Sequence, residues 1–345
     1  MSGTDSRTVG TTNLKLSPLG FGAAPIGNTP APLSDDQCHA TVIAAYEAGV
    51  RYFDTSPAYG NGLSEHLLGR GLRSIESRDF VLSTKVGRYL VPKPDAEVQP
   101  SERSLRMKSV LDYSFDAAMR SVDQSFQRLG LNKIDMLMIH DVDIKTHRSE
   151  QAYEQRFREA MNGAYLALEK LRSEGTITAI GIGVHDVEPC IRFLNAGDFD
   201  AIMLSGHYTL LEQSALETVL PLCVKKSTSL LVAGPFASGV LATGSVPGST
   251  FKYNPASREV LAKVAHIEKI CQEFGVALPA AALQFAFAHP AIASVVTGAI
   301  SPDQAYANAT HFRAKIPSAF WSVLKDEGIL SAEAPVPQVL ESSRN

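Results

Sequence analysis

Four residues in this chain combine side chains suited to proton transfer: Asp54, Tyr59, Lys85 and His140. An acid, a phenol, an amine and an imidazole make a plausible proton-transfer set, because a buried ammonium lowers the pKa of a neighbouring phenol. A carboxylate can in turn fix that ammonium in place. Each residue taken alone is equally compatible with a structural role, as an ion pair or a hydrogen-bonded core residue. Their occurrence together indicates catalysis.

Apolar runs of strand length precede or contain these four residues. We predict eight strands from such runs: Leu19–Gly22, Tyr52–Thr55, Val81–Lys85, Ile134–His140, Ala179–Val184, Ala201–Ser205, Ser229–Ala233 and Ala293–Thr297. Most of them are nearly continuous in Val, Ile, Leu and Met. That composition indicates strands buried on both faces, as in a parallel sheet covered by helices.

Amphipathic stretches of helix length alternate with the predicted strands. Ser34 with Gln37 indicates a helix start, and Gly49 indicates the end of that helix. Helical spacing predicts three further helices, each closed by a glycine: one over 115–129 before Gly130, one over 157–171 before Gly175, and one over 260–274 before Gly275.

This alternation predicts an α/β fold, a (β/α)8 TIM barrel. A doubly wound open sheet is the alternative, but Gly20-Phe21-Gly22 lacks the third glycine of a dinucleotide-binding fingerprint. We expect a single domain over 1–345, with a core at about 14–314 and a tail at 315–345. The polar stretches Tyr89–Asp112 and Leu241–Ser257 and the tail from Pro317 are predicted as loops over one barrel mouth or chain ends. Because active-site residues collect at the carboxyl ends of barrel strands, the four proton-transfer residues should meet there.

Composition excludes several classes of function. The net charge of −4 and the lack of a dense basic run argue against nucleic-acid binding. No run of about 18 apolar residues is present, so no membrane span is expected. The four widely spaced cysteines indicate neither a disulfide framework nor a zinc site. Together with an N-terminus unlike a signal peptide, they favour a cytoplasmic protein.

Several other polar or aromatic residues have competing interpretations. His140, Asp141, Asp143 and His147 could form a metal cluster, but strand alternation divides the first of them between two faces, so we predict no metal. His185 and His207 could contact a substrate or be structural. Trp321 is predicted to anchor the tail over the barrel.

At the proton-transfer residues the chain resembles the aldo-keto reductase family, from about Leu14 to about Ala314. The matching segments are Phe53-Asp54-Thr55 with Tyr59-Gly60, Ser64-Glu65 and Leu68-Gly69, then Ser83-Thr84-Lys85, then Asp135-Met136-Leu137-Met138-Ile139-His140. The resemblance implies a barrel with a nicotinamide cofactor extended across its carboxyl-terminal mouth, and hydride transfer without a metal. It implies that Tyr59 is the general acid and base, Lys85 lowers its pKa, Asp54 anchors the lysine and His140 orients the substrate oxygen.

The resemblance also implies cofactor contacts from separate parts of the chain: Gly22 and Ala23, Gly183, then Ala233, Pro235, Phe236, Ser238, Gly239 and Leu241, and finally Gly298, Ala299, Gln304 and Asn308. Many relatives that use NADP carry Lys at the position of Gly298 and Arg at that of Gln304. Both cations that could bind a 2′-phosphate are missing here, which favours NAD, with NADP as the alternative. Ala233 stands where many relatives stack an aromatic ring on the nicotinamide, and the segment around Gly183 lacks their Ser-Asn pair.

These substitutions are similar to a subgroup that oxidises sugar hemiacetals or pyridoxal. The resemblance therefore predicts an NAD(P)-dependent dehydrogenase of a small molecule, an aldose oxidised to a lactone. Oxidation of pyridoxal and NADPH-dependent reduction of aldehydes or ketones are the enzymatic alternatives. A nucleotide-binding regulatory subunit is the alternative outside catalysis. Neither the substrate-pocket loops nor the oligomeric state carries a readable motif.

Overall fold

Eight parallel strands close into a barrel in a computed structural model that describes residues 6–27, 33–97 and 105–338. The strands are β1 Leu19–Gly22, β2 Tyr52–Asp54, β3 Val81–Val86, β4 Met136–His140, β5 Ala179–Val184, β6 Ala201–Ser205, β7 Ser229–Ala233 and β8 Ile292–Thr297. Each strand pairs with its neighbours in chain order, and β8 pairs with β1 to close the ring. Since every pair of neighbouring strands is parallel, the carboxyl ends of all eight strands lie at one mouth of the barrel.

The prediction of a (β/α)8 barrel is confirmed, and all eight predicted strands are present. Their ends differ slightly: β2 ends at Asp54, β3 continues to Val86, β4 begins at Met136 and β8 begins at Ile292. Almost all residues of these strands are buried, as their continuous apolar composition predicts.

Helices connect the strands and cover the outside of the barrel. The described residues form α1 Asp35–Glu47, α2 Leu63–Arg73, α3 Phe115–Leu129, α4 Ile144–His147, α5 Glu150–Asn162, α6 Ala164–Ser173, α7 Val187–Ala196, α8 Val219–Lys226, α9 Val240–Thr243, α10 Arg258–Phe274, α11 Leu278–Ala288, α12 Pro302–Arg313 and α13 Ser318–Asp326. The helix start predicted at Ser34 is confirmed, because its Oγ accepts a hydrogen bond of 3.1 Å from the backbone N–H of Gln37.

The single helix predicted over 157–171 is wrong. Two helices, α5 and α6, meet at Gly163, whose φ of −128° and ψ of −83° are not helical. The backbone N–H of Ala164 donates instead to the carbonyl oxygen of Tyr113 at 2.8 Å. The apolar spacing continues across this break because Ala160 before it and Ala164 and Leu168 after it are all fully buried.

Two of the stretches predicted as loops contain regular structure. An antiparallel hairpin pairs Arg88–Pro92 with Met107–Leu111, although part of the predicted stretch, 98–104, lies outside the described residues. The stretch after β7 contains α9 and a short strand pair, Thr250–Phe251 with Asn254–Pro255.

The tail forms a helix instead of a loop. Phe320 of α13 packs edge-on against Phe274 of α10, with ring centroids 5.9 Å apart, and Trp321 is 1% exposed. Beyond the helix, the backbone of Ile329 and of Ser331 hydrogen-bonds to the Gln213 side chain in the loop after β6. Trp321 therefore is a buried residue of a helix that fixes the tail on the helical layer, while the residues after this helix contact a loop at the carboxyl end of β6.

Among the described residues, no single helix is long and apolar enough to cross a membrane. Only α10 and α11 taken together have the necessary length and composition, and a bend of 99° separates them.

Candidate active site

Lys85 and Asp54 form a buried ion pair at the ends of neighbouring strands. The Lys85 Nζ lies 2.6 Å from Oδ2 of Asp54 and also donates to the carbonyl oxygen of Thr55 at 2.8 Å. Both side chains are at most 3% exposed. Burial opposes the charge on the lysine, but Asp54 and Tyr59 outweigh it and raise the pKa of Lys85. Lys85 is therefore a cation at neutral pH.

Tyr59 lies in the loop after β2, directly over this ion pair. The Lys85 Nζ is 5.0 Å from the centre of the Tyr59 ring, and the ring packs edge-on against the imidazole of His140 with centroids 5.7 Å apart. Burial raises the pKa of Tyr59 to about 12, although Lys85 lowers it in part. The lysine thus acts in the direction expected from the sequence, but burial outweighs it and the net shift is upward.

His140 ends β4 and is held from both ring nitrogens. Its Nδ1 is 3.1 Å from the hydroxyl oxygen of Ser56, and its Nε2 is 3.3 Å from Oδ1 of Asp141. We assign the proton to Nε2 because the negative charge of Asp141 lies on that side of the ring, and Nδ1 then accepts from the Ser56 hydroxyl. Burial lowers the pKa of His140 to about 3, which keeps the ring neutral at physiological pH.

A second layer of polar contacts fixes Asp54. The Ser83 hydroxyl donates to Oδ1 of Asp54 at 2.7 Å, and the Tyr52 hydroxyl lies 2.9 Å from the same Ser83 oxygen. Both oxygens of the carboxylate thus have donors, one from Ser83 and one from Lys85. This arrangement leaves the lysine little freedom to move away from Tyr59.

Glu65, in the Ser64-Glu65 segment of the family resemblance, supports the strand that carries Lys85. It is fully buried in α2, where Oε2 is 2.6 Å from Nε of Arg128 in α3 and Oε1 accepts from the Thr84 hydroxyl at 2.6 Å. Thr84 immediately precedes Lys85. The Glu65–Arg128 pair therefore joins two helices to the strand that carries the lysine.

The carboxylate of Asp141 lies close to the same group of residues. Its Oδ2 is 2.9 Å from Nη1 of Arg88, and its Oδ1 is 3.6 Å from Nε2 of His185. Burial raises its pKa, but the hydrogen bond with His185 and the guanidinium of Arg88 outweigh that effect and hold the pKa of Asp141 below its ordinary value. The predicted division of His140 and Asp141 between opposite faces is wrong, because φ at Asp141 is 58° and the chain turns there.

Asp141, Asp143 and His185 offer donor atoms within 4.8 Å of one another, a different set from the cluster considered on the sequence. Both oxygens of Asp143 already accept backbone hydrogen bonds, from Thr146 at 2.8 Å and from His185 at 2.9 Å. Arg88 places a cation against Asp141. This arrangement suits hydrogen bonding better than metal binding.

Three of the expected cofactor residues lie beside the proton-transfer residues. The backbone N–H of Ala23 donates to the carbonyl oxygen of Asp54 at 2.8 Å, and Gly22 pairs with Asp54 in the barrel. A Cβ at Gly183 would lie 3.4 Å from Cε of Lys85 and 3.7 Å from Cδ2 of His140. These are ordinary contact distances, so Gly183 brings bare backbone next to the lysine and the imidazole without being required there by a collision.

The loop after β7 carries six of the expected residues: Ala233, Pro235, Phe236, Ser238, Gly239 and Leu241. Its φ values are positive at three consecutive positions, 50° at Ala237, 64° at Ser238 and 110° at Gly239. Two of the backbone N–H groups in this turn are bonded within the loop, that of Ala237 to the carbonyl oxygen of Gly234 at 3.0 Å and that of Gly239 to the carbonyl oxygen of Phe236 at 2.9 Å. Ala233 is half-buried at the mouth, whereas the Leu241 side chain is fully buried, so only its backbone is available.

The last group follows β8. A Cβ at Gly298 would lie 2.7 Å from Cγ of Pro25, and Ala299 is 2% exposed. In α12, the exposed Gln304 accepts from the backbone N–H of Ile300 at 2.9 Å, and the Asn308 amide donates to the carbonyl oxygen of Gly298 at 3.3 Å. This group forms a surface at the edge of the mouth, separate from the proton-transfer residues.

Comparison with known proteins matches the chain to one family. The sequence profile of the Aldo/keto reductase family matches residues 18–326. The chain belongs to the aldo-keto reductase family. Aldo-keto reductases are oxidoreductases that use nicotinamide cofactors, so the protein is an enzyme of that class.

Two curated relatives are similar over nearly their whole length. Pyridoxal 4-dehydrogenase from Microbacterium luteolum is 37% identical over 342 residues, which are 96% of this chain and 99% of the relative. D-threo-aldose 1-dehydrogenase from Pseudomonas sp is 37% identical over 326 residues, 92% of this chain and 95% of the relative. The holo structure of an aldo-keto reductase from Bacillus halodurans has a TM-score of 0.73 at 24% identity, covering 99% of both chains, and bears on the fold alone.

Sequence reasoning did not single out Ser56, Arg88 or Asp141 as parts of this aldo-keto reductase site. Ser56 lies between Asp54 and Tyr59 in the sequence, so its position could have indicated that it belongs to the site. Arg88 and Asp141 meet only because the hairpin after β3 and the turn after β4 come together in space. His185 and His207 are half-buried, and the Nε2 of His207 donates to the carbonyl oxygen of His185 at 2.8 Å.

Proposed function

We propose that this aldo-keto reductase is an NAD-dependent dehydrogenase that oxidises the cyclic hemiacetal of an aldose to a lactone. The observation that carries the proposal is the convergence of Asp54, Tyr59, Lys85 and His140 at one mouth of the barrel. Oxidation of a hemiacetal removes a hydride from carbon and a proton from the hydroxyl oxygen. A residue of this chain has to accept the proton.

Tyr59 takes the hydroxyl proton in this proposal. A phenol is a weak base at neutral pH, and burial makes its ionised form less accessible still. Lys85 offsets part of that penalty because its cation stabilises the phenolate. Asp54 keeps the ammonium in place at 2.6 Å and so maintains this support throughout the reaction.

His140 orients the oxygen that loses its proton. Its neutral ring presents the protonated Nε2, while Ser56 holds Nδ1 on the other side. A donor at this position fixes the hydroxyl oxygen without competing for its proton. The same donor stabilises the carbonyl oxygen as it forms.

The residues present fit a nicotinamide dinucleotide. Gly183 places no side chain beside Lys85 and His140, and Gly298 leaves exposed backbone at the edge of the mouth. When bound, the nicotinamide ring supplies the hydride acceptor. In this proposal Gly22, Ala23 and Gly183 border the ring, Pro235, Phe236, Ser238 and Gly239 border the diphosphate, and Gly298, Ala299, Gln304 and Asn308 border the adenosine.

The adenosine surface supports NAD over NADP. Gly298 has no space for a lysine side chain unless Pro25 moves, and the Gln304 amide is engaged with Ile300. Asp36 and Asp303, at the starts of α1 and α12, are carboxylates and cannot donate to a phosphate, and the Arg70 guanidinium is paired with Asp36 at 3.0 Å. A 2′-phosphate needs charged donors to replace its hydration, and neither Gly298 nor Gln304 supplies one.

The aldose is supported by the relative named D-threo-aldose 1-dehydrogenase and by the polar groups at the mouth, Arg88, Asp141 and His185. Such groups suit a substrate with several hydroxyls. Pyridoxal is the second candidate, because a relative of equal identity is named pyridoxal 4-dehydrogenase.

The proposal is tested by mixing the enzyme with NAD and a panel of aldoses, and following the absorbance of the reduced cofactor. Trapping the product with hydroxylamine then identifies a lactone. Turnover of pyridoxal without turnover of any aldose would select the second candidate. Rapid reduction of aldehydes with NADPH and no oxidation with NAD would contradict both the direction and the cofactor.

We also propose that the protein is a single barrel domain that works in the cytoplasm. The cysteines Cys38, Cys190, Cys223 and Cys271 are all free and buried, as suits a reducing compartment. Fractionation of cells that express the protein tests the location.

A further inference from the structure

Asp141 places a carboxylate at the barrel mouth that none of the steps above uses. A φ of 58° is uncommon for a residue other than glycine, and such strain clusters at functional sites. In an extended strand, the side chain after His140 would point to the opposite face. The turn instead brings Oδ1 of Asp141 to 3.3 Å from the Nε2 that orients the reacting oxygen.

Several neighbours hold Asp141 in this position. The backbone N–H of Asp141 donates to the carbonyl oxygen of Gly183 at 2.8 Å. The Tyr113 hydroxyl donates to the carbonyl oxygen of Asp141 at 3.3 Å. The Arg88 guanidinium lies 2.9 Å from Oδ2. One oxygen of the carboxylate therefore has a close cationic partner that arrives from another loop.

Among the described residues, the partners of the other oxygen are more distant. Oδ1 is 3.3 Å from His140 and 3.6 Å from His185, whereas a charge-assisted hydrogen bond is about 2.7–2.9 Å long. The side chain is 15% exposed, so a ligand at the mouth can reach it. Oδ1 thus has capacity for a closer donor than the protein provides.

We propose that Asp141 determines substrate specificity by accepting a hydrogen bond from the hydroxyl on the carbon next to the reacting carbon. This inference rests on the proposed function, because that hydroxyl is O2 of an aldose. The two oxygens of a vicinal diol are neighbours at about hydrogen-bond spacing. One can accept from Nε2 of His140 while the other donates to Oδ1 of Asp141, without either residue moving far.

The test compares kcat/KM for an aldose and its 2-deoxy analogue in the wild type and in Asp141→Asn. A hydrogen bond to a charged group predicts that the wild type prefers the aldose by about 10- to 100-fold. Asp141→Asn should lower this ratio several-fold, because its amide oxygen accepts a neutral hydrogen bond in place of a charged one. It should retain activity on the 2-deoxy analogue, which also shows that the variant is folded. Asp186→Asn is the matched control, since its exposed carboxylate stands at the same mouth, 3.9 Å from His207, and should leave the ratio unchanged.

Arg88→Gln combined with Asp141→Asn removes both charges at once and should give the same ratio as Asp141→Asn. An unchanged ratio in the folded variants would overturn the inference. So would a wild-type enzyme that oxidises both sugars equally well, and in that case the proposed function would stand. A wild type that oxidises no aldose would overturn both.

Discussion

Tyr59 has to change its protonation state during the reaction, and its surroundings oppose that change. Burial raises the pKa of its phenol, and only the ammonium of Lys85 acts strongly in the other direction. The tyrosine and the lysine should therefore behave as one functional unit. Removing either one should disable the same step.

Tyr59→Phe should lower kcat by about 10²–10⁴-fold, the usual contribution of a positioned acid or base. The ring and its packing against His140 remain, so folding and cofactor affinity should change little. Lys85→Met should lower kcat through the same proton transfer. The double variant should lose much less than the product of the two single losses.

Steady-state kinetics under conditions where chemistry limits the rate measure these changes, with circular dichroism as the folding control. Ser173→Ala, at an exposed position at the end of α6 and away from the carboxyl-terminal mouth, is a suitable unaffected variant. A Tyr59→Phe enzyme with near-normal kcat would contradict the proposed role of the tyrosine.

The pKa of Tyr59 also predicts how the rate depends on pH. With a pKa of about 12, the phenolate fraction rises about tenfold for each pH unit throughout the neutral range. In the oxidising direction kcat/KM should therefore increase with pH, and in the reducing direction the protonated phenol is already present and no such increase should occur. The rise should be absent from Tyr59→Phe. A pH profile of both enzymes, in both directions, provides the measurement.

At the scale of single residues, the sequence predicted which residues form the candidate site but not all of their geometry. Asp54, Lys85 and His140 could be placed together because each ends a strand whose apolar composition is unambiguous. The turn at Asp141 could not be predicted, because a positive φ at a non-glycine residue depends on tertiary contacts such as that with Gly183. The protonated nitrogen of His140 depends on the same turn.

At the scale of elements, the break between α5 and α6 supports the site from outside the barrel. Gly163 allows the backbone of Ala164 to bind the carbonyl oxygen of Tyr113, and the Tyr113 hydroxyl donates to the carbonyl oxygen of His140 at 2.8 Å. Tyr113 thus connects the helix junction to the strand that ends at His140, through one hydrogen bond on each side. Periodicity could not reveal this break, because periodicity reports which face is buried and not whether the backbone is continuous.

Gly163→Ala should therefore reduce both stability and activity. A Cβ would collide with the carbonyl oxygen of Tyr113, and overpacking of this kind costs about 1–3 kcal/mol. Displacement of Tyr113 should also disturb the backbone at His140 and lower kcat. Urea unfolding and steady-state kinetics measure the two effects.

Gly175→Ala is the matched control for that substitution. Gly175 has a φ of 74° and no neighbouring atom within 4 Å of an added Cβ, so only backbone strain of about 1 kcal/mol is expected. Its kcat should remain normal. Equal kcat values for the two variants would show that Tyr113 does not connect the helix junction to the site.

At the scale of the whole molecule, the barrel brings together segments that are far apart in the chain. The expected cofactor surface draws on β1, β5, the loop after β7 and α12, a span from Gly22 to Asn308. The strand order could be predicted from the alternation of strands and helices. Contacts between the loops could not, because Pro25 meets Gly298 only once β8 pairs with β1.

The contact between Pro25 and Gly298 determines which substitution should change the preference between NAD and NADP. A lysine at position 298 would displace Pro25, whereas Gln304 is exposed in the first turn of α12 and has space for a longer side chain. Gln304→Arg should raise kcat/KM with NADP by about 10-fold or more, since a charged hydrogen bond contributes about 1.5–3 kcal/mol. The value with NAD should change much less, because NAD lacks the 2′-phosphate. Measuring kcat/KM with both cofactors gives the ratio.

Thr310→Arg adds the same charge at another exposed position of α12 and should leave the ratio unchanged. The salt dependence separates the two variants further. A specific contact between the guanidinium introduced by Gln304→Arg and the phosphate should persist at moderate salt, whereas a general attraction decays with the Debye length of about 8 Å at physiological ionic strength. Equal gains from both substitutions would show that net charge, and not the surface around Gln304, governs the preference for NAD.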